Sequence, residues 1–154
     1  MEEVEKYNKI GGWLLFLVFG WCFSLFKQFT SIFDIMEMFK NGTFDILRDV
    51  NSEFYNPNVV PLIQYEFIGG ILCIIGIFYG LMLMFKKSIK FPKYAIIFLI
   101  LVQAASVIDI VWGYAIGIEI TSELVGQVIG GIIAAIVWIS YLKKSVRVEQ
   151  TFIN

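Results

Sequence analysis

Three ionisable residues stand inside otherwise apolar stretches of this chain: Lys27, Glu66 and Asp109. Three amides, Gln64, Gln103 and Gln127, accompany them. An ionised side chain in hydrocarbon costs several kcal/mol, so such residues are retained for a reason. One lysine can pair with one carboxylate; the second then needs a proton, a cation or water. That surplus acid points to an outward-facing site for a small cation, a proton or a lipid head group. The competing reading is a buried clamp that sets helix register. A complete conducting path is disfavoured, because no polar residues continue the track past Gln103.

The rest of the sequence removes most other chemistry. There is no histidine, which excludes the Ser-His-Asp triad, the Cys-His dyad, His-ligated zinc and haem on a proximal histidine. Cys22 and Cys73 lie in separate apolar runs and read as structural thiols rather than a disulfide or metal pair. No metal site or cofactor is expected. Neither a dinucleotide fingerprint nor a P-loop occurs. A net charge of −1 supplies no basic field for nucleic acid. Without a nucleophile–base constellation, an enzyme is not the expected class.

These residues must be positioned by helices in a membrane. Of 154 residues, 58% are hydrophobic and 16% charged, against about 25% charged in soluble domains, and the mean hydropathy is +0.78. Four segments reach the about 20 apolar residues a spanning helix requires: 10–33, 62–85, 93–118 and 122–142, in one domain over 1–154. The expected fold is therefore all-α, an integral membrane four-helix bundle. Basic residues alternate with the spans. Lys6 and Lys9, then Lys86, Lys87, Lys90 and Lys93, then Lys143, Lys144 and Arg147 occupy one set of flanks. The intervening loops are acidic. By the positive-inside rule both termini are cytoplasmic in a cell membrane. The first loop is long, and Phe44, Leu47, Val50 and Phe54 recur at helical spacing within it. Thr43 is a candidate N-cap, so this loop is expected to carry a short amphipathic helix.

Depth along the spans brings the polar residues together. At 1.5 Å per residue, Lys27 lies roughly 25 Å and Asp109 roughly 24 Å from the inner ends of their helices. Glu66 and Gln127 lie roughly 6–7 Å below the outer ends of theirs. Against a core about 30 Å thick, all four fall in one outer layer, with Gln103 deeper. Small residues should bring the helices close: Gly76 and Gly80, Gly113 and Gly117, and Gly126, Gly130 and Ala134, with Gly131 and Ala135 one step round. A tight bundle is the favoured use of these stripes, and a homodimer the less favoured one.

The first span opens with Ile10-Gly11-Gly12-Trp13. The last leads into Trp138-x-x-Tyr141-x-x-x-Ser145-x-Arg147-Val148-x-x-Thr151-Phe152, and Tyr65-Glu66 sits near the start of the second. In these motifs the whole chain resembles the small four-helix membrane proteins of domain-of-unknown-function family 2569, which are mostly bacterial. Family members usually have an Asn soon after the acidic position, where this chain has Gly69-Gly70. The resemblance implies the four-span fold and assigns no activity. Lys143, Lys144 and Arg147 can sit among anionic head groups at about 1 kcal/mol each, and the tail beyond them could dock on the bundle or recruit a partner. The expected role is a non-enzymatic accessory or scaffold protein of the envelope, with the bilayer and another membrane protein as partners. The alternative is a small-solute, proton or lipid-binding or transport protein.

Overall fold

The computed structural model describes residues 10–153. The described residues form four long helices and two short ones: α1 (Trp13–Lys40), α2 (Thr43–Arg48), α3 (Val59–Phe85), α4 (Phe91–Ala115), α5 (Ser122–Lys144) and α6 (Val146–Thr151). α1, α3, α4 and α5 are each long and apolar enough to cross a membrane, and no strand occurs among the described residues. The protein is thus an all-α, four-span membrane bundle. Lys6 and Lys9, used above for orientation, lie outside the described residues.

Two helix starts and one helix end are legible in local chemistry. Pro92 occupies the first turn of α4, where its missing N–H costs nothing. Thr121 caps α5, its side-chain oxygen accepting from the Leu124 N–H at 3.3 Å. α4 stops three residues short of the expected Ile118, because Gly117 takes a left-handed φ of 83° and the Ile118 N–H turns back to the Gly113 carbonyl at 2.9 Å. This is a Schellman cap. Gly117 therefore ends a helix instead of packing one.

Two corrections concern the loop end of the bundle, the end at which α2 lies. α1 continues past Phe33 to Lys40, a helix of 28 residues and about 42 Å that overshoots a core of about 30 Å. α2 is shorter than the apolar spacing implied and ends at Arg48. Gly42, in the left-handed region, is its N-cap, and Thr43 is its first helical residue. Phe44 is buried and stacks on Phe39 with centroids 4.0 Å apart. Val50 and Phe54 lie beyond the helix and are exposed. The reversal comes from Asp49 and Ser52, whose side chains accept from the N–H groups of Asn51 and Phe54. Such turns compete with helix continuation.

Packing follows chain order: α1 lies on α3, α3 on α4 and α4 on α5. α1 and α5 approach each other at the opposite, terminal end, where Trp13 meets Trp138 edge-on at 6.2 Å. There the main core forms from Leu14, Leu17, Trp21, Ile77, Met84, Phe91, Leu142, Val148 and Phe152. A second cluster, Ile35, Phe44, Val60 and Ile63, closes the loop end between α1, α2 and α3.

The glycines sort themselves by contact. A methyl group on Gly80 would lie 2.9 Å from the Tyr94 ring and closer still to Trp21, and one on Gly76 would overlap Phe98. These two fulfil the expected packing role, and Gly113 is buried in ordinary contact with Leu62 and Ile118. Gly126 and Gly130 do not: nothing lies within 4 Å of a methyl group built on either, and Ala134 is exposed. The contact of α5 with α4 runs one step round, through Gly131 and buried Ala135. Gly131 accommodates the Gln103 amide, whose Oε1 would be 2.7 Å from an added methyl.

Candidate functional site

Between the two core clusters the bundle is hollow. A groove of about 910 Å³ runs along it, with walls from α1, α3, α4 and α5. Glu66, Asp109, Tyr65 and Gln127 line it toward the loop end, Lys27, Gln28 and Ser31 line it deeper from α1, and Leu72, Ile75, Ile97, Phe98 and Leu101 line its length. From Glu66 to Tyr79 the groove wall follows α3 for roughly 20 Å, more than one leaflet of a core about 30 Å thick. The acidic pair marks one end, and the wall beyond it is mostly apolar, with Tyr79 and Tyr94 at the far end.

The acidic end is built by two antiparallel helices. Side chains on a helix lean toward its N-terminus. α3 starts at the loop end, so Glu66 leans that way; α4 starts at the terminal end, so Asp109 leans back. The Tyr65 hydroxyl donates to the Ala105 carbonyl at 3.2 Å, which places Asp109 about a turn nearer the loop end than Glu66. The two carboxyls therefore converge and hydrogen-bond to each other. Such a bond needs one proton between the two groups. Asp109 Oδ1 is buried without a hydrogen-bond partner.

The other polar residues of the expected layer are placed differently. Gln28 and Ile32 flank Gly70, and Trp21 lies on Gly80. Lys27 consequently sits one to two turns deeper than Glu66, roughly 6–10 Å, and near the middle of α1. The expected common depth fails for Lys27 because α1 runs on to Lys40. The hydrogen-bond partner of Glu66 is Asp109, not Lys27. Gln127 lines the groove and donates through Nε2 to Glu123 Oε1 at 3.4 Å. Gln103 is withdrawn from the groove and packs on Gly131. Gln64 is exposed. Among the described residues, no group of three or more His, Cys, Asp or Glu could hold a metal ion.

Sequence reasoning passed over Gln28, Ser31 and Tyr94, and took Tyr65 only as the motif neighbour of Glu66. Gln28 hydrogen-bonds to the Cys73 thiol across α1 and α3, and Tyr94 donates to the Gly76 carbonyl at 2.7 Å. The signal for Gln28 was present, a polar residue beside Lys27 in an apolar run. Gly69 also lines the groove, with nothing within 4 Å of a methyl built on it.

At the terminal end the opening and closing motifs become one unit. Arg147 lies over Gly12, whose φ of 58° and lack of a side chain leave room for the guanidinium. Trp138 bridges Trp13 and Tyr141, with centroids 6.2 and 5.9 Å away. α6 folds back so that Thr151 and Phe152 are buried, Phe152 on Phe91 at 4.6 Å. Ser145 joins α5 to α6 in an extended conformation. The tail residues Trp138, Tyr141, Ser145, Arg147, Thr151 and Phe152 thus hold the helix ends together.

Fold and groove define a four-span helical membrane protein with a polar-tipped, apolar-walled cavity between its helices. The chain belongs to the family described as protein of unknown function (DUF2569), whose model matches residues 7–153. No curated protein and no solved structure matches it.

Proposed function

We propose that this chain is a non-enzymatic, ligand-binding accessory protein of the cell membrane, and that an amphiphile occupies its groove. The head group would meet Glu66 and Asp109, and the apolar body would lie along Leu72, Ile75, Ile97 and Leu101. One observation carries this reading: a single cavity has its acidic pair at one end and an apolar wall about 20 Å long behind it. An amphiphile distributes its polarity in the same way. With both termini cytoplasmic, the acidic end faces the outer leaflet. A second reading, a scaffold for another membrane protein, draws support from the unpartnered stripe of Gly126, Gly130 and Ala134 on α5.

Gly69→Phe separates the two. Gly69 lines the groove and a Cβ there meets nothing within 4 Å, so a ring on it would take up groove space. The chain is extracted from bacterial membranes in mild detergent, and everything bound to it is identified by mass spectrometry. The wild type should retain about one lipid per chain, and Gly69→Phe should retain none at unchanged helicity by circular dichroism. Equal lipid in both would sink the groove reading. A stoichiometric protein partner, kept by both forms, would favour the scaffold.

A further inference from the structure

The arrangement of charge along the groove identifies a class of ligand, and this inference rests on the groove reading above. We infer that the occupant is a phospholipid with a primary-amine head group, of the phosphatidylethanolamine class. Asp109 Oδ1 is a buried acceptor without a donor, and the group beside it, Glu66, is another carboxyl. The nearest amide on α5, Gln127, turns its Nε2 to Glu123. A buried acceptor left unpaired costs about 1–3 kcal/mol. A primary ammonium brings three donors and a positive charge together. A quaternary ammonium brings the charge without donors, and a glycerol head brings donors without the charge.

Lys27 supplies the second half of the argument. It lines the same groove from α1, roughly 6–10 Å deeper than Glu66. In an ethanolamine phospholipid lying with its chains toward mid-membrane, the ammonium is uppermost, the phosphate next and the acyl chains below. The groove offers carboxyls uppermost, a lysine next and apolar side chains below. The order of charge is complementary at each level. Entry needs no passage through water. α1 and α5 do not pack together along their length as neighbouring helices do, and Gln127 lines the groove from α5. The gap between them opens sideways to lipid.

The test is competitive. The full chain is reconstituted in vesicles of equal parts phosphatidylethanolamine, phosphatidylcholine and phosphatidylglycerol with identical acyl chains, extracted in mild detergent, and its retained lipid quantified. Phosphatidylethanolamine should exceed phosphatidylcholine by about tenfold, equivalent to about 1.4 kcal/mol. Glu66→Gln with Asp109→Asn should bring that ratio within twofold while lipid is still retained. Lys27→Met should lower retention of all three without changing their ratio. Equal retention of the ethanolamine and choline lipids by the wild type, or a preference for phosphatidylglycerol, overturns the head-group assignment and leaves the groove reading standing. No retained lipid of any class, in wild type and Gly69→Phe alike, overturns both. The wild-type ratio decides the matter even where a variant fails to fold.

Discussion

Glycine contacts in this bundle are uneven, and that sets the residue-scale expectations. A methyl on Gly80 would press into Trp21 and Tyr94, both held by other rings: Trp21 by Phe91 and Phe98, Tyr94 by Tyr79 and Phe98. None of these rings can swing aside freely, so overpacking should cost about 1–3 kcal/mol for Gly80→Ala. Gly131→Ala meets the far end of Gln103, which can withdraw. Gly126→Ala and Gly130→Ala meet nothing and should gain up to about 1 kcal/mol from helix propensity alone. Unfolding by sodium dodecyl sulfate from mixed micelles would rank the four. Gly130→Ala as damaging as Gly80→Ala would show that the stripe on α5 is a packed interface after all. In the sequence these glycines look alike. Only their neighbours across the helix distinguish them.

Two short helices show how elements secure the long ones. α2 puts Phe44 against Phe39 of α1 and beside Val60 and Ile63 of α3, fixing the loop end. α6 puts Val148 and Phe152 into the core shared by α1, α3, α4 and α5, fixing the terminal end. The second contact is the larger, because it joins four helices. Truncating Phe152 to Ala removes a buried ring, a change that usually costs about 3–5 kcal/mol. Since α6 is a single short helix, the loss should appear first as local release of the tail. Limited proteolysis in detergent should cut Phe152→Ala after Arg147 well before wild type, with the Trp13–Trp138 end loosening next. Identical cleavage kinetics would mean that α6 is not held by this ring. The tail motif was conspicuous in the sequence, and its basic residues invited a reading as a membrane-surface anchor. Burial of Thr151 and Phe152 makes its apolar half a brace.

For the whole molecule, the consequence of helices packed in chain order is a bundle joined at both ends and hollow between them. The acidic loop and the acidic mouth of the groove share one end, and Lys86, Lys87, Lys90, Lys93, Lys143 and Lys144 share the other. Orientation is therefore testable by impermeant maleimide on intact cells, with Cys22 and Cys73 replaced by Ala. Asn51→Cys, on the exposed loop after α2, should label at once. Glu149→Cys, exposed on α6, should label only after lysis. The reverse pattern would place the groove mouth in the cytoplasmic leaflet, and the amphiphile would enter from there.

The sequence by itself determined the number of spans, their direction relative to one another and the presence of an acidic pair. Hydrophobic length and the alternation of charge are local properties that the bilayer reads directly. It also brought Glu66 and Asp109 to neighbouring depth, because helical rise is the same for every sequence. Tertiary structure decided the rest. It moved Lys27 deeper by extending α1 to Lys40, turned Gln103 onto Gly131 and left Gly126 and Gly130 without partners. It also joined the opening motif to the closing one through Arg147 and Gly12. Each of these depends on which face of a helix meets which neighbour. In a helix apolar nearly all round, periodicity does not mark that face.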